Sequence, residues 1–319
     1  MKRVSRYALI MSATATFLSV SLGGCGGDGG GGTASPQASV STSATSSAAS
    51  ASASSAVSSS SSTSSSSSSS ASSSSAAGAA KAGYDLTFDE EFDSLDVSAH
   101  GPGTRWIAHT PWNGDFGDAA FADPVAGFPF TTDNGILRIE ARKDASGNWQ
   151  SGLLASVDAN GNGFSQQYGY FEMRAKLPAG DGVWPAFWLD SLIPPDSGDP
   201  SYEVDVEYYG QFTGAYAAST HVWPKGDPGG ATTATQNIAV TPNLLTSDYH
   251  VYGISVEADW TIFYLDGVEM WRTATPASHK HKLMILVDLA LGGGWPITAT
   301  PSPSDMYIDY IRAYKRTGS

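Results

Sequence analysis

Three carboxylates at alternate positions are the best candidates in this chain for acid–base chemistry: Glu203, Asp205 and Glu207, separated by Val204 and Val206. Successive side chains of a strand point to opposite faces, so the three acids share one face and the valines share the other. Neighbouring carboxylates cannot all ionise freely, so at least one pKa should rise and a proton can be shared. Cleavage of a glycosidic bond requires one protonated and one ionised carboxyl. A solvated strand face or part of a calcium site would give the same pattern.

The segment around this row is typical of an internal strand. Residues 201–210 carry β-branched and aromatic side chains on both sides of the acids, and they follow a turn-rich stretch at 193–200. The Cα atoms of Glu203 and Glu207 are then four steps of about 3.3 Å apart, so their side chains must lean inward to cooperate. This spacing does not separate retaining enzymes, with carboxyls about 5–5.5 Å apart, from inverting enzymes at about 6.5–9.5 Å.

Past residue 83 the chain consists of short strand patterns separated by turn signals, and no long window has helical periodicity. Residues 135–142 alternate between apolar and polar side chains. Residues 260–271 predict a hairpin whose turn is Asp266 and Gly267. Many short strands with regular turns predict an all-β sandwich or barrel.

The acidic row resembles the Glu-x-Asp-x-Glu catalytic strand of glycoside hydrolase family 16, which includes lichenases, laminarinases and xyloglucan transglycosylases. Six further segments resemble the same family in the same order, and together they span about residues 84–316. They are residues 168–178, 182–188, 249–253, 264–267, 289–293 and 308–312.

The resemblance implies a β-jelly-roll sandwich of two curved antiparallel sheets, with the catalytic strand on the concave face of a substrate cleft. It also implies that Glu203 is the nucleophile, Glu207 the general acid/base, and Asp205 the group that tunes the nucleophile. Many family members carry an extra residue between the Asp and the second Glu, which forms a bulge. This chain lacks it and so resembles lichenases and xyloglucan-active members more than typical laminarinases or agarases.

Sugar rings have flat apolar faces, so a glycan cleft needs aromatic side chains beside hydrogen-bonding groups. For any one tryptophan, packing in the core is an equally good explanation. For Arg174, a structural ion pair with Glu172 explains the residue as well as substrate contact does. Asp288 departs from the asparagine often found before the Leu-Ala-x-Gly-Gly segment of the family. The candidate substrate-binding residues are Trp112, Trp184, Trp188, Trp223, Trp295, His221, Arg174 and Asp288.

The N-terminal part of the chain predicts export rather than folded structure. Residues 1–24 have a basic start, a short apolar stretch and small residues before Cys25, which resembles a bacterial lipoprotein signal. An ordinary secretory signal with an incidental cysteine is the alternative. Residues 25–82 are rich in Gly, Ser and Ala and predict a disordered tether, which leaves 83–319 as one catalytic domain. We therefore expect an outer-membrane or cell-surface lipoprotein of a bacterium, held by a lipid anchor at Cys25.

The net charge of the chain limits the classes of molecule that it can bind. The formal net charge is −14, and removing residues 1–24 takes away three basic residues and no acidic one, which gives −17. An acidic surface disfavours nucleic acid and polyanionic glycans, so a neutral polysaccharide is the expected partner. The single cysteine excludes a disulfide within the chain. We expect a monomer.

No cofactor is expected for catalysis, because two carboxyls are sufficient for this chemistry. The resemblance implies a structural calcium ion instead, held by Asp309 and groups around Glu90. The chain contains no contiguous calcium loop of the EF-hand type, so this expectation depends on the resemblance alone.

Taken together, the sequence predicts a retaining endo-glycosidase that hydrolyses internal β-linkages of a neutral glucan-like polysaccharide. Mixed-linkage β-1,3-1,4-glucan or β-1,3-glucan is the first choice. A transglycosylase of the same family, which passes the same covalent intermediate to a sugar, is one alternative. A non-catalytic glycan-binding sandwich is the other, although a binder has no need of three apposed carboxylates.

Overall fold

The computed structural model describes residues 81–112, 114–194, 196–227 and 229–318. The predicted signal, the lipidated Cys25 and nearly all of the predicted tether lie outside these residues and remain predictions. Among the helices in the described part of the chain, none is long and apolar enough to cross a membrane.

Strands make up nearly all the regular structure of the described residues, and the helix α1 (Leu244–Ser247) is a single turn. In chain order the strands are β1 (Tyr84–Glu90), β2 (Val97–Ser98), β3 (Trp106–Ile107), β4 (Ala120–Phe121), β5 (Phe130–Asp133), β6 (Ile136–Lys143), β7 (Trp149–Ser151), β8 (Leu153–Ala155), β9 (Ser165–Gln166), β10 (Gly169–Lys176), β11 (Val183–Ser191), β12 (Ser201–Glu207), β13 (Ala215–Trp223), β14 (Thr232–Ala239), β15 (His250–Val256), β16 (Trp260–Leu265), β17 (Val268–Ala274), β18 (Leu283–Leu291) and β19 (Ser304–Arg316).

The strands form two sheets, which confirms the predicted all-β sandwich. The site sheet has the order β14-β13-β12-β11-β18-β8-β3-β2, with β9 paired to β18. The outer sheet has the order β17-β16-β15-β10-β19-β6-β7-β4, with β1 paired to β19 and β5 paired to β6. The expectation of purely antiparallel sheets is wrong at two margins, where β2–β3 and β4–β7 pair in parallel. In both pairs the connection is longer than a hairpin turn, so the second strand can run in the same direction as the first.

The hydrophobic core lies between the sheets and explains why the carboxylates point away from it. In β12, Val204 and Val206 are buried in this core, opposite residues such as Phe171 and Met173 of β10. Because side chains alternate, Glu203 and its neighbours at every second position must emerge on the far face of the site sheet. The predicted period-two arrangement of the row is confirmed.

The hairpin predicted at residues 260–271 is also confirmed. Strands β16 and β17 pair in an antiparallel arrangement, and the two turn residues, Asp266 and Gly267, have φ angles of 51° and 77°. Two successive positive φ values define the mirror-image turn that suits the twist of paired strands, which explains the Asp-Gly sequence.

A glycine substitution tests how tightly the end of the catalytic strand is held. A side chain at Gly210 would overlap the backbone carbonyl oxygen of Gly180, and the Gly210 N–H donates to the carbonyl oxygen of Val183 at 3.0 Å. We expect Gly210→Ala to lower the free energy of unfolding by about 2 kcal/mol or more, because backbone cannot move aside cheaply. Urea denaturation followed by tryptophan fluorescence measures this change.

Gly198 provides the matched control, because a Cβ atom there would meet nothing within 4 Å and its φ is not positive. Gly198→Ala should change the free energy of unfolding by no more than about 0.5 kcal/mol. Equal effects of the two substitutions would contradict the packing described for this strand end.

Candidate active site

The three carboxylates lie on β12, a central strand of the site sheet. β12 pairs with β11 on one side and β13 on the other without a register shift on either side. The strand is therefore unbulged, as the sequence predicted, and Glu203, Asp205 and Glu207 share one face. The cross-strand neighbours are Asp190 and His221 for Glu203, Trp188 and Ser219 for Asp205, and Ala186 and Ala217 for Glu207.

Glu203 is buried at the N-terminal end of the row and contacts a side chain of β13. The indole N–H of Trp223 donates to its Oε2 at 3.1 Å. Trp223 is itself buried, at 5 % exposure, and its ring stacks on His221 with centroids 5.4 Å apart. A hydrogen bond from a fixed indole orients the carboxylate and favours its ionised form. Trp223, predicted to contact substrate, therefore has a direct contact with the proposed nucleophile.

His221 lies opposite Glu203 in the β12–β13 pairing, and its ion-pair contact is with Asp205. Its Nε2 lies 3.3 Å from Asp205 Oδ2, and its Nδ1 lies 2.7 Å from the hydroxyl of Thr233. Neither contact is with Glu207, the expected acid/base. The reason is that Glu207 stands two positions further along β12, opposite Ala217.

Burial raises the pKa of Glu203 well above its usual range, and the charge of Asp205 raises it further. Burial also raises the pKa of Asp205, with Glu207 and Asp190 as the next largest causes. Two buried like charges so close together cannot both ionise cheaply, so the pair favours sharing a proton. The sequence predicted this consequence of the row.

Glu207 is the most accessible of the three carboxylates, and it stands at the other end of the row. Its Oε1 accepts the indole N–H of Trp184 at 2.9 Å and the hydroxyl of Tyr209 at 3.0 Å. The rings of Trp184 and Tyr209 are nearly parallel, with centroids 6.0 Å apart. Each glutamate of the row thus receives an indole N–H from a neighbouring strand, Glu203 from β13 and Glu207 from β11.

The sequence analysis did not select Tyr209 or Asp190, although both were within its reach. Tyr209 lies two positions after Glu207, and Asp190 lies two positions after Trp188, so period-two alternation puts each on the site face. Asp190 is buried opposite Glu203, where it accepts the N–H of Ser191 at 2.7 Å and the hydroxyl of Ser201. It adds a further carboxylate to the charge that raises the pKa of the row.

Aromatic side chains form a second cluster on the site face, beside the row. Trp188 packs edge-on against Trp112, with centroids 6.1 Å apart, and against Phe116 at 5.9 Å. Phe116 also contacts Trp184 at 5.7 Å. Trp112 and Trp184 are partly exposed, which suits contact with a sugar ring. Trp188 is 3 % exposed and forms the floor of this aromatic cluster.

Trp295 lies in the loop after β18, at the Glu207 end of the row. Its ring packs edge-on against Phe212 at 4.9 Å and remains partly exposed. Gly293 of the same loop passes so close to Trp184 and Tyr209 that a Cβ atom there would lie 2.8 Å from each ring. Trp295 therefore lies in a loop beside the site, and its contact with substrate stays a prediction.

The prediction that Asp288 contacts substrate is wrong for this arrangement, because Asp288 is fully buried. Its Oδ1 accepts the indole N–H of Trp188 at 2.8 Å, and its Oδ2 accepts the N–H of Ala290 at 3.0 Å. Burial raises its pKa to about 8, although both hydrogen bonds oppose the rise. Asp288 therefore anchors the floor tryptophan.

The prediction that Arg174 contacts substrate is also wrong. Arg174 lies on β10 of the outer sheet, where its guanidinium pairs with Asp309 at 2.5 Å and covers the ring of Tyr249. Glu172 on the same face accepts the hydroxyl of Tyr314 at 3.1 Å. The alternative explanation, a structural ion pair, holds for Arg174, but its partner is Asp309 rather than Glu172.

The carboxylates expected to hold calcium do not fit a shared site. Asp309 is occupied by the guanidinium of Arg174. Glu90 accepts the indole N–H of Trp106 at 2.9 Å and pairs with the Nε of Arg105 at 2.7 Å. A hard cation such as calcium needs several oxygen ligands free of competing positive charge. The two side chains instead act as partners of separate arginines.

The chain belongs to glycoside hydrolase family 16, because the model for glycosyl hydrolases family 16 matches residues 125–312. This match covers the row of carboxylates on β12 and both strands that flank it. The sequence-based recognition of the family is confirmed.

Individual relatives agree with this assignment. The endo-1,3-1,4-beta-glycanase ExsH of Rhizobium meliloti (strain 1021) is 32% identical over 251 residues, which is 72% of this chain and 51% of that protein. The glucan endo-1,3-beta-glucosidase A1 of Niallia circulans is 29% identical over 277 residues, or 74% of this chain and 38% of that protein. The chain thus spans about half the length, or less, of these relatives.

A solved structure has the same fold. The catalytic domain of an endo-1,3-beta-glucanase (laminarinase) from Thermotoga petrophila RKU-1 superposes with a TM-score of 0.56 at 24% identity, over 74% of this chain and 99% of that domain. The comparison confirms the jelly-roll sandwich.

The burial of Asp288 predicts how the free energy of unfolding depends on pH. Its folded-state pKa of about 8 exceeds the usual 3.8, so between these values the unfolded chain binds fewer protons than the folded chain. Stability should therefore fall as pH rises through this window, by at most about 1.4 kcal/mol per pH unit from this one group. We expect Asp288→Asn to make the fall between pH 5 and pH 8 shallower, as measured by urea denaturation at several pH values.

The exposed Asp85 supplies the control, since Asp85→Asn should leave the pH dependence of the free energy of unfolding as it is in the wild-type protein. A wild-type slope in the Asp288→Asn protein would show that Asp288 is ionised in the folded state.

Proposed function

We propose that this protein is a retaining endo-β-glucan hydrolase in which Glu203 is the nucleophile and Glu207 the general acid/base. The observation that carries the proposal is that the two glutamates stand on one face of an unbulged strand and each is held by an indole N–H, from Trp223 and Trp184. Membership of family 16 and the activities for which ExsH and the Niallia circulans relative are named support the same reaction class.

In the first step the carboxylate of Glu203 attacks the anomeric carbon and forms an ester with the sugar. The bond from that carbon to the glycosidic oxygen breaks, and Glu207 gives its proton to the departing oxygen. In the second step water attacks the anomeric carbon, Glu207 takes the proton of the water, and the ester to Glu203 breaks. Two inversions give net retention at the anomeric carbon.

Asp205 keeps the nucleophile ready by holding the shared proton. Glu203 accepts an N–H from Trp223, which favours its ionised form. Asp205 Oδ2 receives no hydrogen bond of good geometry from the described residues, and its close contact is with His221 at 3.3 Å. The proton of the pair is therefore best placed on Asp205, which leaves Glu203 ionised for attack.

The substrate we propose is a neutral glucan, with mixed-linkage β-1,3-1,4-glucan first and β-1,3-glucan second. The net charge of −14, and the buried acids of the row itself, oppose the entry of sulfated or uronic polymers. Trp112 and Trp184 offer partly exposed rings beside the row for stacking against glucose. The two relatives are named as an endo-1,3-1,4-beta-glycanase and a glucan endo-1,3-beta-glucosidase, which agrees with this choice.

Export and anchoring complete the proposal. A lipoprotein signal ending at Cys25 and a tether over 25–82 would place the catalytic domain at a cell surface, within reach of polysaccharide outside the cell. Both features lie outside the described residues, and the sequence pattern alone supports them.

Substitution of the two glutamates tests their roles. We expect Glu203→Gln and Glu207→Gln each to lower kcat on soluble glucan by about three orders of magnitude or more, with little change in thermal stability. Arg174→Gln is the matched control, because Arg174 lies on the outer sheet, and it should keep wild-type kcat and KM. Reducing-end assays and thermal denaturation give both quantities.

Azide then distinguishes nucleophile from acid/base. With Glu207→Ala, azide should attack the glycosyl-enzyme and yield a β-glycosyl azide, because the covalent intermediate still forms. With Glu203→Ala, azide takes the place of the missing carboxylate and should yield the α-anomer. Turnover at the wild-type rate in either Gln variant, or the reverse pair of azide anomers, would contradict the assignment.

A product analysis tests substrate and stereochemistry together. Purified protein is incubated with barley β-glucan, laminarin, xyloglucan, agarose and carrageenan, and early products are followed by proton NMR and mass spectrometry. We expect oligosaccharides from barley β-glucan or laminarin, first as the β-anomer, with viscosity falling before reducing ends accumulate.

Other outcomes would exclude specific parts of the proposal. Products from agarose or carrageenan alone would overturn the charge argument. An α-anomer formed first would mean inversion, and longer chains without new reducing ends would mean transglycosylation.

A further inference from the structure

Two histidines and an aspartate meet at the β3 margin of the site sheet, away from the carboxylate row. They are His100, His109 and Asp123, and one ligand atom from each lies within 4.8 Å of the others. His100 precedes β3, His109 follows it, and Asp123 follows β4, so three separate segments supply the group. In the described part of the chain, the other cluster of this kind is Glu203, Asp205 and His221 of the catalytic row.

Each ring nitrogen of His109 faces a carboxylate. Its Nε2 lies 2.9 Å from Asp123 Oδ1, and its Nδ1 lies 3.5 Å from Asp115 Oδ1. The ring of His100 stacks on that of His109, with centroids 4.7 Å apart and planes 26° apart. A metal-binding histidine usually donates its second ring N–H to a carboxylate, which is the position that Asp115 takes.

Movement of side chains alone can bring the three ligand atoms to the spacing of a four-coordinate zinc site. Ligands about 2.0–2.1 Å from a tetrahedral ion are roughly 3.3 Å from one another. The contact between His109 and Asp123 must open by about 0.4 Å, and the widest separation in the cluster must close. His100 and Asp123 are exposed, so their side chains can make this adjustment without moving the core.

The turn that carries His100 is itself well fixed. The N–H of Gly101 donates to the hydroxyl of Ser98 at 2.9 Å, and Ser98 contacts the hydroxyl of Thr104 at 2.8 Å. Gly101 has a φ of +72°, and a Cβ atom there would lie 2.9 Å from the Cβ of Asp158. Only glycine fits this close approach, which holds the neighbouring His100 beside His109.

The cluster differs from the other histidine–carboxylate pairs of the described residues. His250 has one carboxylate partner, Asp266, and its other ring nitrogen faces the carbonyl oxygen of Leu244 at 3.2 Å. His281 shares Asp199 with the ammonium of Lys280. At His109 both ion-pair partners are carboxylates, and the aromatic neighbour is a second histidine. Imidazole nitrogens with a carboxylate select zinc or a similar transition metal rather than calcium or magnesium.

We propose that His100, His109 and Asp123 bind a zinc ion, or another divalent transition metal of similar preference, with Asp115 orienting His109. Water takes the fourth position. The ligands bracket residues 110–122, which carry Trp112 and Phe116 against Trp188. The ion therefore fastens the segment that forms the aromatic part of the site face.

Zinc binding to the full-length chain, prepared without a histidine tag and stripped with a chelator, tests the proposal. Isothermal titration should show one zinc ion per chain, with no competition from calcium. His100→Ala and Asp123→Asn, both at exposed positions, should weaken zinc binding at least tenfold while the far-ultraviolet circular dichroism is unchanged. Zinc should raise the Tm of the wild-type protein and not that of these two variants.

Two further variants locate the ion. His281→Gln is the matched control, since it removes a histidine from a simple ion pair, and it should bind zinc as the wild type does. Glu203→Gln should do the same, because the catalytic row is a separate cluster. Wild-type zinc affinity in His100→Ala, loss of binding in Glu203→Gln, or no zinc binding by the wild type would overturn the proposal.

Discussion

The burial of like charges on one face of β12 is the constraint on which the rest of the site depends. Burial and mutual repulsion raise the pKa of both Glu203 and Asp205, so the row exists only because other groups offset its cost. On the opposite face Val204 and Val206 lie in the core between the sheets and hold the strand in register. A slip of one residue would exchange the two faces and bury three acids in that core.

The tryptophans of the site serve the carboxylates as much as they serve a glycan. Trp223, Trp184 and Trp188 donate their indole N–H groups to Glu203, Glu207 and Asp288 respectively. Each donor is a rigid, buried or half-buried side chain. It lies on the strand next to the strand of its acceptor. A fixed donor cannot follow a carboxylate that moves, so these bonds set where each acid points before substrate arrives.

Alternation along a strand predicted the shared face of Glu203, Asp205 and Glu207, and the Asp-Gly sequence predicted the turn of the β16–β17 hairpin, because both depend on local backbone geometry. The same reasoning placed Arg174 at the site, and there it was wrong. A period of two assigns a face within a sheet, but the sequence does not say whether that face belongs to the site sheet or the outer sheet. The prediction for Asp288 was wrong for a different reason. The burial of its side chain depends on β11 and β8, which pair with β18 and come from distant parts of the chain.

The acids of the site also set a limit on stability. A carboxyl whose folded-state pKa is raised destabilises the folded chain wherever the unfolded chain is ionised and the folded chain is not. Asp288 and the Glu203–Asp205 pair, which shares one proton, therefore favour unfolding as pH rises above about 4. Replacing them with apolar residues would remove this cost but also the chemistry. The extensive core on the opposite face of the site sheet is therefore a requirement of the reaction, because it supplies the stability that a row of buried carboxyls takes away.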